Sequence, residues 1–225
     1  MIATALDGAK DQTYFLYRIP SATLEKVRFP LAEIEKKDVF RIAKENNLAA
    51  SEKAESQDFI SPEYFDTLFS DKESIPGDII DLDGHVLGRH RGIEHYTIGQ
   101  RRGLGVSSGK PLYVHSIDAK NNLVILSGSE DLDARSLIAD DFVWPGDIAP
   151  DAPFDALVKI RFASRPIRTR VEPYAAQTGE LFSGKSYRIS FAENAHAAAP
   201  GQSAVLYIDG VIAGGGIIRR ADKGI

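Results

Sequence analysis

The sequence predicts an α+β fold that is mostly β: a short helical segment at the N-terminus, followed by two β units. Three observations predict it. Apolar residues recur near 3.6 spacing only early in the chain, at Ile34, Val39, Ile42 and Ala43. From Pro76 onward the period changes to alternation, as in Leu112-Tyr113-Val114-His115-Ser116-Ile117. Strand-like runs then follow one another at roughly ten-residue spacing, separated by turn signals such as Asp83-Gly84, Asn121-Asn122 and Asp209-Gly210.

Taken in order, Gln12 to Arg18 reads as a short helix with Asp11 as its N-cap, ended by Pro20 and Ser21. Ser21-Ala22-Thr23-Leu24 starts a second helical turn, and Phe29-Pro30-Leu31 is a linker. Ile34 to Asn46 is the clearest helix, with Lys37, Arg41 and Lys44 on its polar side and Asn46-Asn47 at its end. Residues 51–75 are polar and irregular, with one short helix near Glu63–Phe69, and make the best domain boundary. The strands from Pro76 to Leu126 suggest a small antiparallel barrel. A second all-β unit begins near Leu137, with strands at Ala156–Arg161, Thr169–Pro173, Ser186–Phe191, Ser203–Ile208 and Val211–Arg219. Gly214-Gly215-Gly216 inside the last strand marks a bulge or a place where other atoms approach the backbone closely.

Composition narrows the chemistry. The 225 residues include no cysteine, so disulfides, thiolate zinc sites, cysteine nucleophiles and persulfides are all excluded. No apolar run is long enough for a membrane helix and no signal peptide is visible, which makes a soluble cytoplasmic protein the expectation. The net charge of −5 argues against a globally basic nucleic-acid binder. It leaves room for local patches, because surface charges are screened beyond about 8 Å at physiological salt.

Two stretches concentrate base. Gly84 to Gly105 carries Arg89, Arg91, Arg101 and Arg102 around Tyr96, with glycines dense enough to exclude a helix. Lys159 to Arg170 holds five bases and no acid, with Phe162 inside it. Each is either a solvated surface strand or an RNA contact in which stacking and phosphate binding combine. His85, His90 and His95 recur at five-residue steps, but neighbours five apart on a strand face opposite ways, and no metal site is expected. No Gly-x-Ser-x-Gly or Walker loop occurs, and no catalytic residue is assigned.

Several blocks, in this order, resemble one family. They are Lys10-Asp11-Gln12-Thr13-Tyr14-Phe15-Leu16, Gly77-Asp78-Ile79, Tyr96-Thr97-Ile98-Gly99-Gln100-Arg101-Arg102-Gly103-Leu104-Gly105, Ala199-Pro200-Gly201-Gln202-Ser203-Ala204-Val205 and Gly214-Gly215-Gly216-Ile217-Ile218. Together they look like the tRNA-specific 2-thiouridylase family (MnmA/TrmU type), over essentially the whole chain. The resemblance implies three parts: 1–60, a helical remnant of the end of an ATP-pyrophosphatase domain; 61–136, a small central β domain; and 137–225, a C-terminal antiparallel β-barrel. Members use ATP to activate the wobble uridine and then install sulfur from a persulfide.

By motif match, Lys10, Asp11, Gln12, Arg161, Phe162 and Gln202 are implied tRNA contacts, with Phe162 standing where the family usually has tyrosine. Arg101 and Arg102 are added from charge. The sequence departs from the pattern twice. It lacks the Ser-Gly-Gly-x-Asp-Ser phosphate loop, so ATP and magnesium are expected only with a missing N-terminal domain. In Glu55-Ser56-Gln57-Asp58-Phe59-Ile60-Ser61, Ile60 stands at the persulfide cysteine's position, and isoleucine cannot carry sulfur. The expected function is therefore the tRNA-binding part of a 2-thiouridylase-like sulfurtransferase that is not catalytically complete alone. Its expected partners are tRNA, an ATP-pyrophosphatase domain or chain, and a sulfur donor protein. The alternatives are a stand-alone RNA-binding β-barrel or adaptor module, and a degenerate fragment without activity.

Overall fold

A computed structural model of the chain describes residues 1–49, 74–175, 182 and 184–223. Contacts divide the chain into two units, one holding Met1–Lys53 with Ala134–Ile225 and the other Ala54–Asp133. The helix expected near Glu63–Phe69, and Ile60 with it, lie outside the described residues.

In the second unit, β1 (Gly77–Ile80) and β2 (Val86–His90) form one hairpin, and β3 (Tyr113–Asp118) and β4 (Leu123–Ser127) form another. The sequence suggests an antiparallel barrel here. The structure corrects this to an open four-stranded sheet of order β2-β1-β4-β3, in which β1 runs parallel to β4 with Ile79 opposite Val124. Alternation and turn residues report each hairpin locally, but carry no signal for how two hairpins dock. Ile79, Val114, Val124 and Leu126 are fully buried and pack with Tyr96 and Leu104 from the segment between β2 and β3.

In the first unit, β5 (Asp133–Val143), β6 (Phe154–Lys159), β7 (Ile167–Tyr174), β8 (Ser186–His196), β9 (Ser203–Ile208) and β10 (Val211–Lys223) close into a barrel of order β10-β5-β8-β7-β6-β9. Its interior is filled by Leu137, Val158, Ile160, Val171, Tyr187, Ile189, Leu206 and Ile218, among others. The one hydroxyl in that group is satisfied, because Tyr187 donates to the Pro150 carbonyl at 2.9 Å.

Strand β9 is buried on both faces. Ala204 and Leu206 point into the barrel, while Val205 and Tyr207 pack outside against Ile2, Tyr14, Tyr17 and Ile212. The N-terminal segment is thus a cover over one side of the barrel. It is tied there by a bridge between Ala3 and Val211 and by the bond from Ile212 N–H to the Ile2 carbonyl. The Asp209-Gly210 turn joining β9 to β10 has positive φ at both residues, as a two-residue hairpin of this kind requires.

The helices are short. The helix expected over 12–18 is a 3-10 turn, Thr13–Phe15, followed by α1 (Ser21–Leu24). Helix propensity decides little over so few residues, and the Asp11 bonds to Thr13 set the first turn instead. The helix expected from Ile34 is α2 (Lys36–Glu45), whose first N–H, at Lys36, is taken by the Asp7 carboxylate at 3.0 Å. That bond leads the causes that lower the Asp7 pKa.

Candidate nucleic-acid interface

Gly215, in the glycine triplet, explains how the N-terminal cover sits so close. A Cβ at Gly215 would come within 2.5 Å of the Tyr17 ring, and one at Gly216 within 2.6 Å of Phe142. Gly214 faces Trp144 in the same way, with φ at +153°. The Tyr17 hydroxyl reaches the Ser203 hydroxyl at 2.9 Å, and the Tyr14 hydroxyl donates to the Ser203 carbonyl at 3.0 Å. Burial pushes the Tyr14 phenol up to about 12.

Asp11 is the buried anchor of this segment. Its Oδ1 accepts from Ala5 N–H at 3.2 Å and from Thr13 N–H at 3.3 Å, and its Oδ2 accepts the Thr13 hydroxyl at 2.6 Å. The Thr13 hydroxyl lies 3.2 Å from that of Tyr207 on β9. A carboxylate away from water needs such donors, and here they pin the first turn to the barrel wall. Lys10 and Gln12, on either side, are exposed.

Arg161 follows β6 and reaches across to the turn before β9. Its Nε donates to Gln202 Oε1 at 3.1 Å, and one Nη donates to the Ala197 carbonyl at 2.8 Å. Burial lowers the Arg161 pKa, yet a guanidinium starts so high that it stays charged. The bond fixes which end of the Gln202 amide is the acceptor, and the turn that carries Gln202 is closed by Gln202 N–H to the Ala199 carbonyl and tied to β10 by Gly201 N–H to the Ile218 carbonyl. Phe162 lies 4.8 Å from Phe15 and 6.4 Å from Tyr14, centroid to centroid, with the Lys159 ammonium 5.5 Å from its ring.

The structure therefore brings Arg161, Phe162 and Gln202 together, and sets them on the same unit as Lys10, Asp11 and Gln12. Phe15 and Lys159 adjoin them; from the sequence Lys159 heads the basic Lys159–Arg170 stretch, but neither residue is singled out as a contact. Phe15 lies in the quoted Lys10–Leu16 block, but periodicity cannot tell an exposed ring from a buried one within a three-residue turn.

Arg101 and Arg102 belong to the other unit. Both are exposed on a loop that Gln100 organises, accepting from Thr97 N–H at 2.9 Å and donating to the Arg102 carbonyl at 2.9 Å. One reading of that stretch is corrected: Tyr96 does not lie in a surface ribbon but is buried in the sheet's core, edge-on to His90 at 5.8 Å. His90 is buried as well. Its Nδ1 accepts from Gly92 N–H and its Nε2 donates to the Asn122 carbonyl, an assignment made from the partners. His85 stands at the β1–β2 turn beside Asp81, whose pKa is lowered first by the His85 backbone N–H.

Comparison with known proteins gives this arrangement a family. Residues 1–61 match the tRNA methyl transferase HUP domain, 66–128 the tRNA methyl transferase PRC-barrel domain, and 134–218 the aminomethyltransferase beta-barrel domain. The chain is 42% identical over 225 residues to tRNA-specific 2-thiouridylase MnmA 1 of Syntrophus aciditrophicus (strain SB), covering 98% of this chain and 57% of that protein. It is 40% identical over 223 residues to tRNA-specific 2-thiouridylase MnmA of Synechococcus sp. (strain ATCC 27144 / PCC 6301 / SAUG 1402/1), covering 97% of this chain and 60% of that protein. This chain belongs to the tRNA-specific 2-thiouridylase family. It spans roughly three-fifths of the length of the curated relatives it matches. The first matched segment carries Lys10, Asp11 and Gln12, the last carries Arg161, Phe162 and Gln202, and both fall in one unit over 1–53 and 134–218. Among the described residues, no helix is long and apolar enough to cross a membrane.

Proposed function

We propose that this chain is the tRNA-holding part of a 2-thiouridylase-type sulfurtransferase, acting while the wobble uridine exchanges its C2 oxygen for sulfur. The observation that carries the reading is the Arg161–Gln202 pair. A guanidinium is fixed by two acceptors beside half-exposed aromatic rings, on the same unit as exposed Lys10 and Gln12. Fixed cations with adjoining π faces suit the phosphates and unstacked bases of RNA. Lys10, Gln12, Arg161, Phe162 and Gln202 contact the tRNA in this reading, and Asp11 holds the first two in place. Arg101 and Arg102 add attraction from the second unit.

Among the described residues, no group of side chains and backbone N–H groups builds a nucleotide site. The sequence lacks the Ser-Gly-Gly-x-Asp-Ser loop, and the N-terminus of α2, where an anion could bind, is filled by Asp7. ATP-dependent activation is therefore assigned to a separate domain or chain. With no cysteine in the sequence and Ile60 at the persulfide position, sulfur comes from another donor.

The test is an electrophoretic shift of bulk tRNA by the purified chain across a salt series, with Arg161→Ala and Gln202→Ala alongside. Salt-dependent binding that both substitutions weaken is the expected result. Absence of binding at low salt overturns the tRNA-holding role.

A further inference from the structure

We infer that the cleft between the N-terminal segment and the turn joining β6 to β7 grips one phosphodiester of the bound RNA, through Lys159 and Arg165. The inference rests on the tRNA-holding reading and deepens it with two contacts that reading does not contain. The cleft holds about 590 Å³ and is lined by Gly8 and Ala9, by the turn from Phe162 to Pro166, and by Leu157 and Tyr207 of the barrel wall. The turn is built on Arg161. The Ser164 N–H and hydroxyl both donate to the Arg161 carbonyl, at 3.1 and 2.8 Å, and the same hydroxyl accepts the Arg161 N–H at 3.2 Å. Pro166 then fixes the backbone where the chain leaves the turn. Because the Arg161 side chain is bonded to Gln202, the cleft and the guanidinium share one mount.

The charges in the cleft say what it takes. Lys159 is half-buried with its ammonium 5.5 Å from the Phe162 ring, and Arg165 is exposed. Elsewhere on the barrel, Arg170 pairs with Asp155, Lys185 with Asp151 and Arg219 with Asp140. Among the described residues, no carboxylate pairs with Lys159 or Arg165. Asp11 is the one acid in the lining, and both its oxygens already accept bonds from Ala5 and Thr13. Arg165 brings a planar fork of donors and Lys159 a point charge, a set that suits a phosphate oxygen pair. An acidic peptide meets the same two charges. RNA is favoured because a strand held at Arg161 carries its neighbouring phosphates past a turn hung on that residue's own backbone.

The test measures the affinity of an unmodified tRNA transcript for the full chain by fluorescence anisotropy over a salt series. Lys159→Gln and Arg165→Gln should each lower the magnitude of the salt slope by about one and weaken binding about fivefold at physiological salt. Arg135→Gln removes an exposed cation from the same unit, outside the cleft, and should leave the slope unchanged. Gly8→Glu sets a carboxylate at the cleft where an added Cβ meets nothing within 4 Å, and should weaken binding while the urea midpoint stays at the parental value. A parental slope in the Lys159→Gln/Arg165→Gln double variant overturns the phosphate grip and leaves the two cations to an acidic protein. An equal fall of slope in Arg135→Gln overturns it as well, since overall charge then accounts for the effect. Loss of binding in Arg161→Ala together with parental binding in the double variant sinks the cleft alone. Failure of the parent chain to bind sinks both readings.

Discussion

The barrel with its cover and the four-stranded sheet both bury apolar strands, but by different means. In the barrel, β10 pairs with β5 on one side and β9 on the other, and the outer face of β9 is roofed by the N-terminal segment. In the sheet, β2 and β3 remain edges, and one face is closed by Tyr96 and Leu104 from a long connection. Their cations differ in the same sense. Arg161 is half-buried and bonded to Gln202 and Ala197, whereas Arg101 and Arg102 project from a loop whose order comes from the Gln100 side chain. Closure places a charge; an open sheet with a long connection only supplies one.

The largest test of this contrast is Gly215→Val. It drives a branched side chain into Tyr17 and should cost more than about 3 kcal/mol or prevent folding, read by urea denaturation, since overpacking alone costs about 1–3 kcal/mol. A fully folded variant would show that the cover is loosely seated. Next is His90→Ala in the sheet. It strands the Gly92 N–H and the Asn122 carbonyl, and should destabilise that unit by about 2 kcal/mol without changing the salt slope of tRNA binding.

Arg161→Ala should weaken tRNA binding at least tenfold and cost about 1–2 kcal/mol of stability, because two acceptors lose their donor. The cover also predicts a pH effect. The Tyr14 phenol ionises near 10 in the unfolded chain and at about 12 in the fold. Its contribution is complete below pH 10 and is lost as pH rises from 10 to 12, as the unfolded state releases its proton first. Tyr14→Phe should flatten that decline in denaturant midpoints. The smallest effect belongs to Arg101→Ala, which should lower the magnitude of the salt slope by about one and change affinity less than about threefold at physiological salt. A loss as large as that of Arg161→Ala would erase the distinction between the two units.

Much of the strand pattern was legible because alternation and turn chemistry are local. Asp209-Gly210 and the runs at Ser203–Ile208 and Val211 fall where β9 and β10 are found. The parallel pairing of β1 with β4 was not legible, since no residue in either strand encodes its neighbour across the sheet. The pairing of Arg161 with Gln202 was equally invisible; forty-one positions separate them, and only barrel closure makes them partners. Tyr96 shows the opposite limit. Flanking arginines and glycines suggested exposure, but Ile79, Val114 and Leu126 offered it a core.

Gly215 links two things that could have been independent. The ring that rests on it, Tyr17, belongs to the same short segment as Phe15, Tyr14 and Asp11. That segment is seated on the bare stretch of backbone that β10 presents at Gly215. A chain whose barrel has not closed therefore has no assembled surface to offer. Under the tRNA-holding proposal, the contacts of the first turn and of the barrel loop stand or fall with the same packing.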